Sequence, residues 1–325
     1  MKISRRRLLT AAGAAAALPL TPRVARAQSW PARPVRLIVA VAPGGGADIV
    51  ARLMGQWLSE RIGQAVIIEN RPGAGNNVGT EVVVRAPPDG YTLLSVAVAA
   101  AINATLYDKL SFNFLRDIAP VAGTISVPNV AYVHPSVPAK TLPEFIAYAK
   151  ANPGKLNMAS AGNGTSSHMA GELFKMMAGV DIVHVPYRGQ GPALTDLLGG
   201  HVQAMFATTP GTTDYIATGE LRALAVTTAA RAEALPNIPV VGDFLPGYEA
   251  SQWYGIGAPR DTPVDIVARL NREINAILAD PVNRTRLADL GGAAIAGSPA
   301  DFGRLVADET EKWAKVVKFS GAKPD

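Results

Sequence analysis

An α/β fold built on mostly parallel sheets is predicted by three observations. Short runs of aliphatic and β-branched residues recur along the chain, segments with helical spacing of apolar residues separate them, and glycine-rich turns stand at the junctions. Strands that are apolar on both faces need cover on both faces, and helices between successive strands supply it.

The elements follow in order. Residues 35–42 form a continuous apolar strand ending in Pro43-Gly44-Gly45-Gly46, after which Ile49, Leu53, Leu58 and Ile62 recur at near-helical spacing. A short strand over 66–68 is closed by Glu69-Asn70-Arg71-Pro72-Gly73; a helix over about 77–86 and a Pro87-Pro88-Asp89-Gly90 turn lead to a strand over 91–98. Further on, strands are expected at 131–133, 155–159, 183–185 and 221–226. Helices are expected from a Thr141 cap to 151, over about 165–178 with Met169, Leu173, Phe174 and Met177 on one face, and over 192–198. Thr262-Pro263-Val264-Asp265 reads as a capping box with proline at the first helical position, opening a helix with Ile266, Leu270, Ile274 and Ile277 on one stripe. Residues 299–319 make a last amphipathic helix, with Phe302, Leu305 and Trp313 inward. There is no internal repeat or low-complexity tract.

The N-terminus reads as an export signal. Lys2, Arg5, Arg6 and Arg7 precede an alanine-rich apolar run over 8–20, and Ala25-Arg26-Ala27 offers a small-x-small cleavage site. Ser4-Arg5-Arg6-Arg7-Leu8-Leu9 resembles a twin-arginine signal. The apolar run is too short for a membrane span. Residues 1–27 carry six of the 31 basic side chains and no acidic one, leaving 25 Lys and Arg against 26 Asp and Glu. The formal charge of +5 therefore belongs to the signal, and nothing in the remainder points to nucleic acid. With no cysteine, the chain is neither a disulfide scaffold nor lipid-anchored through a cysteine, and its 48% hydrophobic content suffices for one large domain or two lobes.

Four glycine-rich turns, at 43–48, 72–77, 160–166 and 187–192, stand immediately before helices. A helix N-terminus presents unpaired N–H groups and partial positive charge, and glycine lets an anion approach them. In parallel sheets such turns gather along one edge, where ligands bind. Enzymatic patterns are not met. Gly73-Ala74-Gly75-Asn76-Asn77-Val78-Gly79 resembles a dinucleotide loop, but no acidic residue ends the following strand; a phosphate-binding GxxxxGK[ST] loop and a GxSxG elbow are absent. His134, His168, His184 and His201 show no metal-ligand spacing. Ser166 and Ser167 adjoin His168 at a helix start, where adjacent side chains do not face one another, so capping is the simpler role. A cradle of N–H donors with few charged side chains nearby, chiefly Arg188 and His168, suits reversible capture of a small anion such as a carboxylate, without a cofactor or metal and without the acid–base pair that turnover needs.

Several segments together resemble the Bug family of tripartite tricarboxylate transporter substrate-binding proteins, the TctC-like receptors. They are Pro43-Gly44-Gly45-Gly46-Ala47-Asp48, Asn70-Arg71-Pro72-Gly73-Ala74-Gly75, Pro88-Asp89-Gly90-Tyr91-Thr92-Leu93, Val185-Pro186-Tyr187-Arg188-Gly189, Leu221-Arg222-Ala223-Leu224-Ala225-Val226 and Trp253-Tyr254-Gly255. The resemblance implies a two-lobed periplasmic binding protein of the type II, Venus-flytrap class, each lobe a mostly parallel sheet flanked by helices. It would close on a carboxylate and serve integral membrane subunits of the TctA/TctB kind, as a monomer. The implied lobes are 28–126 with 228–325, and 127–227. The implied site comprises Gly45, Gly46, Ala47 and Asp48 from the first loop, Asn76 from the second, Ser160, Ala161, Gly164, Thr165 and Ser166 from the third, and Tyr187 with Arg188. The backbone N–H groups of Gly46, Ala47, Gly164 and Thr165 are the expected anion donors, assisted by the Thr165 and Ser166 side chains, with Asp48 as a cap or water-ordering group. Val96-Ala97-Val98-Ala99-Ala100-Ala101 is apolar where many relatives carry small hydroxyl residues, which favours a ligand with an apolar or aromatic body. A periplasmic sensor acting on a signalling partner is the alternative function, and an enzyme is the reading least supported.

Overall fold

The computed structural model describes residues 30–209, 211–232 and 235–324; the predicted export segment lies outside them. The strands are β1 (Val35–Val39), β2 (Val66–Asn70), β3 (Thr92–Ala97), β4 (Ile118–Val127), β5 (Asn129–Val133), β6 (Asn157–Ser160), β7 (Val183–Pro186), β8 (Ala204–Thr208), β9 (Arg222–Val226), β10 (Gln252–Pro259) and β11 (Ala293–Ala294). They form two sheets, β11-β4-β10-β3-β1-β2 and β7-β6-β8-β5-β9. Both are mixed. β2-β1-β3 and β7-β6-β8 are parallel blocks, where strands and helices alternate in the sequence, whereas β4, β10 and β11, and β5 with its neighbours, pair antiparallel.

The helices are α1 (Gly46–Ile62), α2 (Asn77–Val84), α3 (Ala99–Leu106), α4 (Phe114–Asp117), α5 (Leu142–Ala151), α6 (Ser166–Ala178), α7 (Gln190–Leu198), α8 (Thr213–Ala217), α9 (Val264–Ala279), α10 (Pro281–Asp289) and α11 (Pro299–Ser320). Among the described residues none is long and apolar enough to cross a membrane. Successive strand residues feed opposite faces. Leu37 and Leu93 pack with Val50, Met54, Leu270 and Ile274, while Ile38 and Leu94 pack with Val83, Ile102, Phe302 and Trp313. The second cluster runs on to Met169 and Phe174 of α6, so one apolar body joins the two sheets behind the crossing segments.

Four strands escaped the sequence reading. β11 is only two residues long, β4, β8 and β10 carry no clean alternation, and β4 and β10 contain glycine and proline, which weaken any strand signal. The glycines are there for close approach: a Cβ on Gly255 would fall 2.1 Å from Phe302 Cζ. The capping box at 262–265 is also corrected. Pro263 is the N-cap of α9, and the Thr262 hydroxyl donates instead to the Pro259 carbonyl at 2.7 Å, because the chain turns from β10 before the helix starts. A true capping box opens α11, between Ser298 and Asp301.

The chain passes between the sheets at 127–129 and again over 226–252. These crossings are tied together by buried hydrogen bonds. Thr227 Oγ1 accepts the Asn129 N–H at 3.0 Å and lies 2.9 Å from the carbonyl oxygens of Asn129 and Ala250, and Asn129 Nδ2 donates to the Ala250 carbonyl at 2.9 Å.

Candidate functional site

Because β1, β2 and β3 are parallel, the turns that follow them lie along one edge of the first sheet; those following β6, β7 and β8 share the corresponding edge of the second. The β1 turn carries Gly44 at φ +88°, a left-handed conformation that favours glycine. Asp48, 2% exposed, cinches this turn. Its carboxylate accepts the Gly44 N–H and Arg52 Nε, both at 2.9 Å, and Asn70 Nδ2 at 2.8 Å. Burial works against the charge; Arg52, Gly44 and Asn70 outweigh it and hold the carboxyl below its usual range. Asp48 is thus an internal brace of the loop. Gly45 caps α1 without a side chain, and the N–H groups of Gly46 and Ala47 have no hydrogen-bond partner among the described residues.

The turn between β6 and α6 departs from expectation. The Gly164 N–H donates to His168 Nδ1 at 3.3 Å, and the Thr165 N–H to the Gly162 carbonyl at 3.3 Å, so neither expected donor is open. Ala161 donates to Ser167 Oγ at 3.4 Å and Gly162 to Ser160 Oγ at 3.2 Å. The helper side chains are committed as well: Thr165 Oγ1 donates to the Gly162 carbonyl at 2.7 Å and caps the His168 N–H, and Ser166 Oγ donates to Asn129 Oδ1 at 3.4 Å. A turn this tight satisfies its own backbone, and the open donors move into the first turn of α6, to the N–H groups of Ser166 and Ser167.

Two histidines support this turn from below. His168, 3% exposed, stacks on His184 with ring centroids 3.9 Å apart and planes at 9°. Ser160 Oγ lies 2.6 Å from His184 Nε2. Burial, then the charges of its His184 and Lys175 neighbours, pushes His168 down to about 3; burial and Lys175 push His184 down to about 4. Both rings are neutral at pH 7, and His168 must carry its proton on Nε2 to accept from Gly164. On the neighbouring turn, the Tyr187 hydroxyl donates to Asp196 at 2.6 Å, and burial with this carboxylate pushes it up to about 12; Arg188 is exposed, with no ion pair or hydrogen bond to a described residue.

The edges of the two sheets touch. Ala74, Gly75 and Asn76 adopt positive φ, and a Cβ on Gly75 would lie 3.4 Å from the Asn163 carbonyl oxygen of the other sheet's turn. A Cβ on Gly164 would lie 2.6 Å from Leu106 Cδ2 and 2.7 Å from Asn103 Oδ1 of α3. Glycine against side chain is what lets the loops meet. Asn103 Nδ2 donates to the Gly75 carbonyl and, at 3.1 Å, to Asn77 Oδ1. Asn103 and Asn129 carry no motif signal in the sequence; their roles arise from packing between segments far apart in the chain. In the apolar segment from the end of β3 into α3, Val96, Val98, Ala99 and Ala101 are buried, with Ala97 and Ala100 half-buried.

The arrangement presents two helix N-termini, one per sheet, each with two open N–H groups, beside a contact made by glycines. The chain matches the family described as tripartite tricarboxylate transporter family receptor over residues 50–321. It belongs to that family, TctC. The TctC family is one of periplasmic solute-binding proteins, not of enzymes. Protein BugT of Bordetella pertussis is 36% identical over 300 residues, covering 91% of this chain and 92% of BugT. Among solved structures, Rpa4515 of R. palustris, determined with adipate, is 36% identical with a TM-score of 0.87, covering 91% of this chain and all of that one. MatC of Rhodopseudomonas palustris, with bound malate, is 33% identical with a TM-score of 0.83, covering 89% of this chain and 100% of MatC. These TctC-like neighbours agree with a two-lobed α/β architecture.

Proposed function

We propose that this protein is an exported receptor that captures a small carboxylate between two lobes and delivers it to the membrane subunits of a tripartite tricarboxylate transporter. The observation that carries the reading is the pair of open helix N-termini, Gly46 and Ala47 on one sheet and Ser166 and Ser167 on the other. Two oriented pairs of N–H dipoles on separate lobes hold an anion only when the lobes come together, which couples capture to closure. The lobes are residues 28–126 with 228–325, and 127–227, hinged at the Asn129–Thr227–Ala250 crossing. Asp48 and the stacked histidines hold the two turns in shape, and Tyr187, Arg188 and Asn76 border the cleft. Export follows the twin-arginine route, with cleavage near Ala27. The alanine- and valine-lined segment after β3 favours a ligand with an apolar body, and the adipate and malate complexes of relatives support carboxylate as the class.

A thermal-shift panel of aliphatic and aromatic mono- and dicarboxylates tests the reading. Ligand at about 100 times its Kd stabilises the folded state by about 2.7 kcal/mol, a rise of roughly 4 °C in Tm for a chain of about 300 residues. A panel without any shift refutes carboxylate capture.

A further inference from the structure

Where α3 meets the second glycine turn, two side-chain amides are buried with half their hydrogen-bonding capacity unused. Asn103 is 2% exposed and Asn77 8%. The Gly75 carbonyl is an acceptor, so the group facing it must be Asn103 Nδ2, and Asn103 Oδ1 is turned the other way, toward Gly164 of the opposite lobe. Asn103 Nδ2 also donates to Asn77 Oδ1, which leaves Asn77 Nδ2 as the second unused group of the pair. Asn103 Oδ1 and Asn77 Nδ2 are both buried without a partner among the described residues. Buried polar groups are almost always satisfied, and an orphaned donor beside an orphaned acceptor marks the place of a group the protein does not itself supply.

We infer that Asn77 and Asn103 form a neutral polar subsite that reads a hydroxyl group on the carboxylate ligand. The chemistry of the pair is selective. A carboxylate oxygen offered to Asn103 Oδ1 meets another acceptor, and an ammonium offered to Asn77 Nδ2 meets another donor. A hydroxyl satisfies either atom, donating to the oxygen or accepting from the nitrogen. No charged side chain bonds to either amide, so the subsite does not compensate a second ionised group. Its position serves discrimination: Asn103 Oδ1 packs against the Gly164 turn that leads into the open N–H groups of α6, so a ligand held there lies between lobes that have closed. The ligand class is therefore a hydroxylated carboxylate, recognised by helix N-termini at its ionised end and by two asparagines at its hydroxyl. Sites built to hydrogen-bond a hydroxyl reject the analogue lacking it far more strongly than apolar pockets reject an added one.

This subsite rests on the receptor reading, and matched pairs separate the two. Calorimetric titration of the mature protein uses malate against succinate and 6-hydroxyhexanoate against hexanoate. The hydroxylated member of at least one pair is expected to bind at least tenfold more tightly. Asn77→Leu is expected to reduce that ratio to threefold or less. In the wild-type protein, the side-chain amide NMR resonances of Asn77 and Asn103 are expected to shift with the hydroxylated acid and not with its partner, a readout that needs no variant. Equal binding within both pairs, which assigns the amides to a resident water, overturns the subsite and leaves carboxylate capture intact. Failure of these four acids and of the whole carboxylate panel to bind overturns both.

Discussion

Replacing Gly164 with alanine separates the cost of folding from the cost of closing. At φ +74° an added Cβ is strained in every state of the protein, and that strain, about 1–2 kcal/mol, lowers Tm without regard to ligand. The contact is different. The Cβ would sit 2.6 Å from Leu106 Cδ2 and 2.7 Å from Asn103 Oδ1, both on α3, and ordinary van der Waals contact starts near 3.4 Å. The lobes must therefore back off by several tenths of an ångström or the α3 side chains must yield, and overpacking of this kind costs about 1–3 kcal/mol. If the lobes separate on opening, as proposed, only the closed state meets that cost. At about 1.4 kcal/mol per decade, affinity for any carboxylate that binds falls roughly 5- to 150-fold, mostly through faster release. Gly179→Ala is the matched control: its φ of +64° carries similar strain, but nothing lies within 4 Å of its Cβ, so it lowers Tm and leaves affinity unchanged. Calorimetric titration and thermal melts of both variants decide the matter. Wild-type affinity in Gly164→Ala, or equal weakening in Gly179→Ala, refutes the argument that this glycine permits closure.

Three further outcomes follow from the same geometry. His168 and His184 have folded-state values near 3 and 4 against an ordinary 6.5, so the unfolded chain binds more protons between those limits and stability falls as pH drops below about 6.5. The unfolding free energy from urea melts should fall between pH 6.5 and 5 by roughly 1.6 kcal/mol per histidine, and the slope should flatten in the His168→Gln, His184→Gln double variant; a flat wild-type profile contradicts the stacked neutral pair. Thr227→Val keeps the shape but strands the buried Asn129 N–H, so it should cost about 1–3 kcal/mol in chemical denaturation; a loss under 0.5 kcal/mol would show the crossing is not held by these bonds. Arg188→Ala should leave stability within about 0.5 kcal/mol, since the exposed guanidinium bonds to no described residue; a larger loss in a thermal melt would reveal a bracing role for the turn.

How far the sequence reached depends on whether a signal is local. Ile266, Leu270, Ile274 and Ile277 specify one helical face by spacing alone, and all four are buried. β1 and β3 carry apolar residues on both faces, Leu37 and Leu93 on one and Ile38 and Leu94 on the other, because both faces are covered, so their place in a parallel block was legible. β10 was not: its glycines answer to Phe302 and Ile118, residues distant in sequence, and remove the side-chain alternation a strand would show. The open N–H groups of the first glycine turn were legible, since Gly46 and Ala47 have them simply by being the first two positions of a helix capped by glycine. The third loop was displaced by two residues.

That displacement has a physical cause. Glycine-rich turns look alike in sequence, but which N–H groups stay open depends on what lies beneath the turn. Under the first loop is Asp48, an acceptor that takes only the Gly44 N–H and spends its remaining capacity on Arg52 and Asn70. Under the third are Ser160, Ser167 and His168, whose acceptors take the N–H groups of Gly162, Ala161 and Gly164 in turn. Exchanging His168 for a residue without an acceptor would release the Gly164 N–H toward the cleft, and the third loop would then offer one more donor at the expense of its own rigidity. His168→Phe tests this. It should preserve the buried ring while destabilising the turn, and a tighter-binding variant with faster amide hydrogen exchange over 161–165 is the expected result. Unchanged exchange at Gly164 would show that the histidine does not hold that N–H.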